Sequence, residues 1–166
     1  MTTPRPPANG VPVRLLTAWA LLALAGTIIL FGFLAWIFPP SRTDFLDRFG
    51  LDSFTNLIVL GAPVLAVLIA TKLGPVLRQA RLIGLLALIE YAAALLFGAL
   101  AFLITLASRF EGLDSGIYAF GGVLQGIGGI LVDLLKLSLL AFAALWTYRI
   151  FTGVGGTLPR LTVDTD

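Results

Sequence analysis

One ionisable residue lies in the middle of a strongly apolar segment of this sequence. Glu90 occurs within ALIEYAAALL, residues 87–96, nine positions after Arg81. On a helix that spacing places the carboxylate about 13 Å beyond the arginine, near the middle of a ~30 Å hydrocarbon core. A charged carboxylate at that depth costs about 2.5–3.5 kcal/mol on insertion scales. Glu90 must therefore carry a proton or meet a cation or donor on a neighbouring helix.

Two interpretations of Glu90 follow from its chemistry. It is a proton- or cation-binding site, or it is a neutral acid that hydrogen-bonds to another helix and contributes only to packing. The candidate polar partners are Tyr91, Asp133 and Lys136. The expected depths of Lys136 and Glu90 in the bilayer differ by about 6 Å, but the two side chains lean in opposite directions. We expect Lys136 to pair more readily with Asp133, three residues earlier, near the outer surface.

The residues that most enzymes use for catalysis are absent. The chain contains no Cys and no His, which excludes thiol nucleophiles, imidazole acid–base chemistry and most zinc sites. No phosphate-binding glycine loop, carboxylate metal cluster or nucleophile elbow occurs. We therefore expect no enzymatic activity, no metal, no cofactor and no nucleic-acid partner.

The composition is that of a membrane protein. Of 166 residues, 58% are hydrophobic and 12% are charged, whereas a soluble domain carries about 25% charged residues. The mean hydropathy is +1.01. A small water-soluble core cannot bury this much apolar surface, so the sequence predicts an integral membrane protein with the lipid bilayer as its main partner.

The apolar runs predict an all-α, polytopic fold with four transmembrane helices in an antiparallel bundle. A tail (residues 1–12), in which four prolines predict an extended and non-helical chain, precedes a transmembrane domain (13–152), and a short tail (153–166) follows it. The predicted spans are residues 15–38, 53–73, 82–108 and 119–151. Trp19 and Trp36 lie near the two ends of the first span, where interfacial anchors are expected.

Three segments of the chain have features that affect this outline. Residues 41–50 form either a short amphipathic turn on the bilayer surface or an ordinary solvated loop. Pro63 predicts a kink in the second span, because it lacks a backbone donor. Residues 115–132 contain six glycines; we interpret them as part of one long helix, the alternative being a re-entrant segment shielded by protein or water.

Small residues recur at spacings of three and four in the last three spans, as expected for closely packed helices. Ala62, Ala66 and Ala70 form such a row in the second span. In the third span the small residues of the row are Gly84, Ala87, Ala94, Gly98, Ala101 and Thr105, and Tyr91 lies on the same stripe. In the fourth span Gly122, Gly126 and Gly129 begin a row that continues through Asp133, Lys136, Leu140 and Ala143.

The basic residues predict the orientation. Seven lie at the end shared by the two tails and the second-to-third corner, and three lie in the opposite loops. By the positive-inside rule, both termini are expected in the cytosol. The expected location is the plasma (inner) membrane, which the chain crosses several times.

The second half of the chain resembles small four-span membrane proteins of actinobacteria that lack an assigned function. The resemblance rests on Glu90-Tyr91 followed by AAALLFG (92–98), a short external loop and a last helix like 134–152 with aromatic and Arg residues at its cytosolic end. It covers roughly residues 82–153, and those proteins similarly carry a Pro-rich cytosolic N-terminus. The resemblance implies a topology and a host, and it implies no reaction.

Two functions from different classes remain. The first is a non-enzymatic membrane component, an accessory or scaffold subunit that binds a second copy or another membrane protein. The second is a small oligomeric proton-coupled transporter or channel that uses Glu90. Its logic is similar to that of the small multidrug resistance proteins, which also use one membrane-embedded Glu in four spans, although here the Glu lies in the third span. Few other polar residues are available to line a path, which favours the first function.

Overall fold

Every regular element in the described part of the chain is an α-helix. The computed structural model describes residues 10–38, 52–73, 75–114 and 120–155. They form α1 (Gly10–Ile37), α2 (Asp52–Thr55), α3 (Leu57–Thr71), α4 (Ala80–Asp114) and α5 (Phe120–Gly153). The all-α prediction is confirmed for these residues. The predicted turn at 41–50 and most of both predicted tails lie outside them.

Three of the helices are long and apolar enough to cross a membrane. The qualifying segments are Val13–Ile37 in α1, Ala80–Ala107 in α4 and Gly126–Gly153 in α5. The predicted second span is different, because α3 has only 15 residues. Length and composition therefore support three membrane-crossing helices and a shorter apolar helix in place of four equivalent spans.

The first helix begins earlier than the prolines suggested. We expected a non-helical tail over residues 1–12, but α1 starts at Gly10 and includes Pro12. The first four N–H groups of a helix have no partner within it. A proline in the first turn therefore sacrifices no hydrogen bond, and its fixed φ suits the helix.

The second span is interrupted at Asn56. The sequence predicted one helix from Ser53 to Leu73, whereas α2 ends at Thr55 and α3 starts at Leu57. The Asn56 backbone is extended, and its side-chain oxygen accepts a hydrogen bond from the Val59 N–H at 2.8 Å. Asn is among the most favourable N-cap residues, so a new helix starts here. Pro63 lies inside α3 and is buried.

Successive long helices run in opposite directions, which three hydrogen bonds at one end of the bundle establish. Arg14 near the start of α1 donates to the Ile69 carbonyl at the end of α3, at 2.7 Å. The Trp19 indole donates to Gln79, just before α4, at 3.0 Å. Arg81 at the start of α4 donates to the carbonyl of Val154, just after α5, at 3.2 Å. We call this end, which also carries Lys72, Arg78 and Arg149, the basic end.

Helices α3 and α4 form the centre of the bundle. α1 packs on α3 and α4, and α5 packs on α4 and α3. The predicted small-residue rows are buried at these contacts. Ala62, Ala66 and Ala70 are buried on α3, and the α4 row is buried at Gly84, Ala87, Tyr91, Ala94, Gly98 and Ala101. Small side chains therefore lie on the buried faces of the central helices, an arrangement that permits close helix packing.

The glycine-rich segment belongs to a continuous helix. α5 runs from Phe120 through Gly122 and the later glycines to Gly153, as the long-helix interpretation expected, while residues 115–119 lie outside the described part. The predicted row on α5 is buried at Leu140 and Ala143 but only half-buried at Gly126 and Gly129. A Cβ added to Gly126 would meet no described atom within 4 Å. The packing role expected for Gly126 therefore remains a prediction, while the row is buried at Leu140 and Ala143.

Candidate membrane-embedded site around Glu90

Helix α4 directs two adjacent polar side chains toward different neighbours. Tyr91 lies in the buried row and is fully buried. Glu90, one position earlier, is turned by about 100° on the helix and is half-buried. Its carboxylate lies against Gly26 of α1, with Oε1 3.0 Å from the position that a Cβ at Gly26 would occupy. As the sequence indicated, Glu90 faces a neighbouring helix.

The carboxylate occupies space that a glycine leaves open. A Cβ at Gly26 would be closer to Oε1 than nine in ten real Cβ contacts, so the carboxylate would have to shift by a few tenths of an ångström. The fit therefore depends on the missing side chain in α1. This pairing was not predicted from the sequence, because the rows of small residues were recognised in the last three spans and not in the first.

One oxygen of this carboxylate lacks a hydrogen bond. Oε2 of Glu90 is buried and has no partner among the described residues. The packing interpretation required a donor on another helix, and at Oε2 the described helices supply none. A buried acceptor without a partner costs about 1–3 kcal/mol. The site therefore retains unused capacity for a proton or for a small donor.

The hydroxyl of Tyr91 is directed to α3 and not to Glu90. Its hydroxyl donates to the Leu60 carbonyl of α3 at 2.5 Å. Leu60 lies in the turn before Pro63, where the proline removes a backbone donor and weakens the local pattern of helical hydrogen bonds. Tyr91 therefore links α4 to α3 and leaves the carboxylate to α1.

The two other candidate partners lie on α5. Asp133 and Lys136 are half-buried, and each makes an interaction within the molecule. The described contact of the Glu90 carboxylate is with Gly26 of α1, so a role of Asp133 or Lys136 as its partner remains a prediction. The Asp133–Lys136 ion pair remains a prediction.

Sequence reasoning missed a second unpartnered polar group. Thr147 on α5 is 0% exposed, and its Oγ1 has no hydrogen-bond partner among the described residues. By contrast, the hydroxyls of Thr27 and Ser138 donate to the carbonyl four residues earlier. Thr147 continues the predicted α5 row four positions after Ala143, so the same spacing could have identified it as buried.

No cluster of three or more potential metal-ligating side chains occurs in the described part of the chain. Comparisons with protein-family models, curated proteins and solved structures found no match. The function must therefore be argued from the residues of this chain.

Proposed function

We propose that the protein is a non-enzymatic integral membrane component, an accessory or scaffold subunit that associates with other membrane helices. It lies in the plasma (inner) membrane with both termini in the cytosol. The clustering of Arg14, Lys72, Arg78, Arg81 and Arg149 at the basic end supports this orientation. The resemblance to small actinobacterial membrane proteins is consistent with a bacterial host.

The exposed face of α5 is the observation that carries this proposal. Five residues recur there at alternating spacings of four and three, and all are exposed. We call them the α5 outer stripe: Gly128, Val132, Leu135, Leu139 and Phe142. A Cβ at Gly128 would meet no described atom within 4 Å. This spacing matches a left-handed helix pair, in which each side chain enters a gap on the facing helix.

The stripe is continuous, apolar and long enough for one additional helix. From Gly128 to Phe142 it extends about 21 Å along the axis. Inside a bilayer, helices associate through close van der Waals packing rather than through exclusion from water. A regular stripe with a glycine at one end provides that packing geometry, and a second copy or another membrane protein would supply the facing helix.

Native mass spectrometry of the protein extracted in lipid nanodiscs tests this proposal. We expect a stoichiometric complex with a second copy or another protein subunit. The double variant Leu135→Ala/Phe142→Ala should weaken that association about tenfold, because two buried side chains lose contacts worth more than 1 kcal/mol.

The matched control is Leu134→Ala/Leu145→Ala, which shortens two exposed α5 side chains on a different sector of the helix. This pair should leave the complex intact. A parent protein that occurs only as a monomer with lipid would contradict the scaffold function. Equal loss of the complex in both double variants would exclude the stripe as the interface.

A specific observation favours a second function, that of an oligomeric proton-coupled transporter or channel. Oε2 of Glu90 is buried without a described hydrogen-bond partner, which leaves the carboxylate available to a proton in transit. Infrared difference spectra in liposomes should then show a carboxylic-acid band that responds to external pH and is absent from Glu90→Gln.

Gly26→Ala sharpens this second test. The added methyl group approaches Oε1 at 3.0 Å, so it should displace the carboxylate and shift the band. Gly61→Ala is the control, because a Cβ there meets no described atom within 4 Å. A band that is insensitive to external pH in the parent would remove the transport function and leave Glu90 as a structural group.

A further inference from the structure

An open groove lies at the basic end between the last turns of α3 and α5. Its volume is about 480 Å³. Its polar lining comes from Thr71 and Lys72 at the end of α3 and from Arg149 of α5. The rest is apolar and comes from Val76, Trp146, Ile150 and Val154, together with Gly153. A groove that combines two cations with an apolar wall suits an amphipathic ligand that carries an anionic head.

The two cations of the groove have no acidic partner in the described part of the chain. Lys72 and Arg149 are both exposed, and neither forms an ion pair with a described residue. The described acidic residues lie in the middle or toward the other end of the bundle: Asp52, Glu90, Glu111, Asp114 and Asp133. The positive charge of the groove is therefore uncompensated by the described bundle.

The carbonyl groups of the adjacent helix ends are partly neutralised by other arginines. C-terminal helix ends carry partial negative charge, which would weaken the attraction for an anion. Arg14 donates to Ile69 at the end of α3, and Arg81 donates to Val154 after α5. Lys72 and Arg149 are not used in this way, so they remain available to an anion in the groove.

The depth of the groove matches a lipid headgroup. Lys72 directly follows α3, and Arg149 lies in the last turns of α5, at the same end as the indole of Trp146. Indole rings concentrate where the headgroups meet the hydrocarbon. Basic pockets between membrane helices on the cytoplasmic side are suited to anionic headgroups. A free phosphate ion would use the cations but would leave the apolar wall uncovered.

We propose that this groove binds an anionic phospholipid. Lys72 and Arg149 contact the phosphate, and the Trp146 and Ile150 side chains lie along the glycerol and the first part of the acyl chains. This inference does not depend on the proposed scaffold function or on Glu90, because it rests on residues at a different end of the bundle.

Retention of phosphatidylglycerol by the full-length protein tests the site. The protein is placed in nanodiscs of phosphatidylcholine that contain a minor fraction of phosphatidylglycerol, and native mass spectrometry counts the lipids that remain bound. The parent should retain phosphatidylglycerol in preference to phosphatidylcholine. Arg149→Gln and Lys72→Gln should each lower the retained fraction about fivefold or more, since one basic residue near an anionic headgroup contributes about that factor.

Arg78→Gln is the matched control, because Arg78 is an exposed cation of the basic end that does not line the groove. It should change retention less than twofold. Equal losses in all three variants would overturn the site in favour of general surface charge. Equal retention of phosphatidylcholine by the parent would also overturn it.

Two further arms distinguish other occupants of the groove. Excess inorganic phosphate should not displace the lipid, and displacement would identify a free-phosphate site instead. Asp164→Asn/Asp166→Asn removes the side-chain carboxylates at positions 164 and 166. A several-fold rise in phosphatidylglycerol retention in this variant would show that the tail fills the groove in the parent protein and would overturn the lipid site there; unchanged retention supports the lipid.

Discussion

At the scale of single residues, the adjacent polar residues Glu90 and Tyr91 have very different surroundings. Tyr91 is fully buried and directs its hydroxyl to a backbone carbonyl of another helix. The Glu90 carboxylate lies where Gly26 has no side chain, and no described donor forms a hydrogen bond with its Oε2. Tyr91 therefore connects two helices through a hydrogen bond, whereas Glu90 has a carboxylate oxygen that can still bind a proton or accept a hydrogen bond.

Replacement of Tyr91 by Phe should destabilise the bundle by about 0.5–1.5 kcal/mol, the usual net value of one hydrogen bond. The aromatic ring would keep its packing while the link to Leu60 is lost. Reversible unfolding in mixed detergent micelles measures the change.

Tyr148→Phe is the control, since Tyr148 is exposed on α5. It should change the unfolding free energy by less than the Tyr91 variant. Equal stability of the parent and Tyr91→Phe would mean that the Leu60 carbonyl contributes nothing to helix association.

At the scale of helices, Asn56 decides where the second apolar segment becomes α3. Its side chain satisfies the Val59 N–H, and its extended backbone separates α2 from α3. Asn56→Ala should therefore cost about 1 kcal/mol. It should also increase hydrogen exchange at the Val59 amide, which mass spectrometry or NMR can follow.

Asn56→Asp keeps a side-chain acceptor at the cap and should preserve most of this protection. If the Ala and Asp variants exchange alike, the cap does not determine the start of α3. This comparison separates the hydrogen bond from the local effects of substitution.

Helix packing was predictable from this sequence where it follows from periodicity. The three-four spacing on α4 correctly identified its buried face, from Gly84 through Tyr91 to Ala101. The break at Asn56 was missed, because an uninterrupted apolar run hides a cap that depends on backbone conformation. The contact of Glu90 with Gly26 was missed for another reason: periodicity identifies a face, but it does not say which helix covers that face.

The spacing of residues alone also could not predict how much of α5 is packed against other helices. Its row continues regularly from the glycines to Ala143, yet among the row residues whose side chains are described, from Gly126 on, full burial begins only at Leu140. Burial depends on whether the other helices reach the same height. α3 starts only after Asn56, and the pattern of a single helix contains no information about the length of its neighbours.

At the scale of the whole molecule, the orientation across the bilayer is the central prediction. The chain has no native Cys, so single cysteines can report each side without background. Arg78→Cys lies at the basic end, and Glu111→Cys lies near the opposite end of α4. In intact cells a membrane-impermeant maleimide should label position 111, and it should label position 78 only after permeabilisation.

Reversal of the labelling pattern would place the termini outside. Labelling of both positions in intact cells would mean that α4 does not cross the bilayer. The measurement thus tests orientation and membrane crossing with two otherwise equivalent proteins.

The short third helix has a consequence for the lipid around the molecule. α3 has 15 residues, a length of about 22 Å, whereas the hydrocarbon core is ~30 Å thick. The end of α2 lies beside Gly98, where Thr55 Cγ2 is 3.5 Å from the Cβ position. Gly98 is 17 residues beyond Arg81, about 25 Å along α4.

The polar break at Asn56 therefore lies inside the thickness of an average bilayer. The bilayer must become thinner beside α3 for water to reach this break, whereas beside the longer α4 and α5 it need not. Each ångström of such hydrophobic mismatch costs a fraction of a kcal/mol. The protein should consequently surround itself with an uneven bilayer, thinner on one flank, and collect in thin membrane regions or beside neighbours whose helices are equally short.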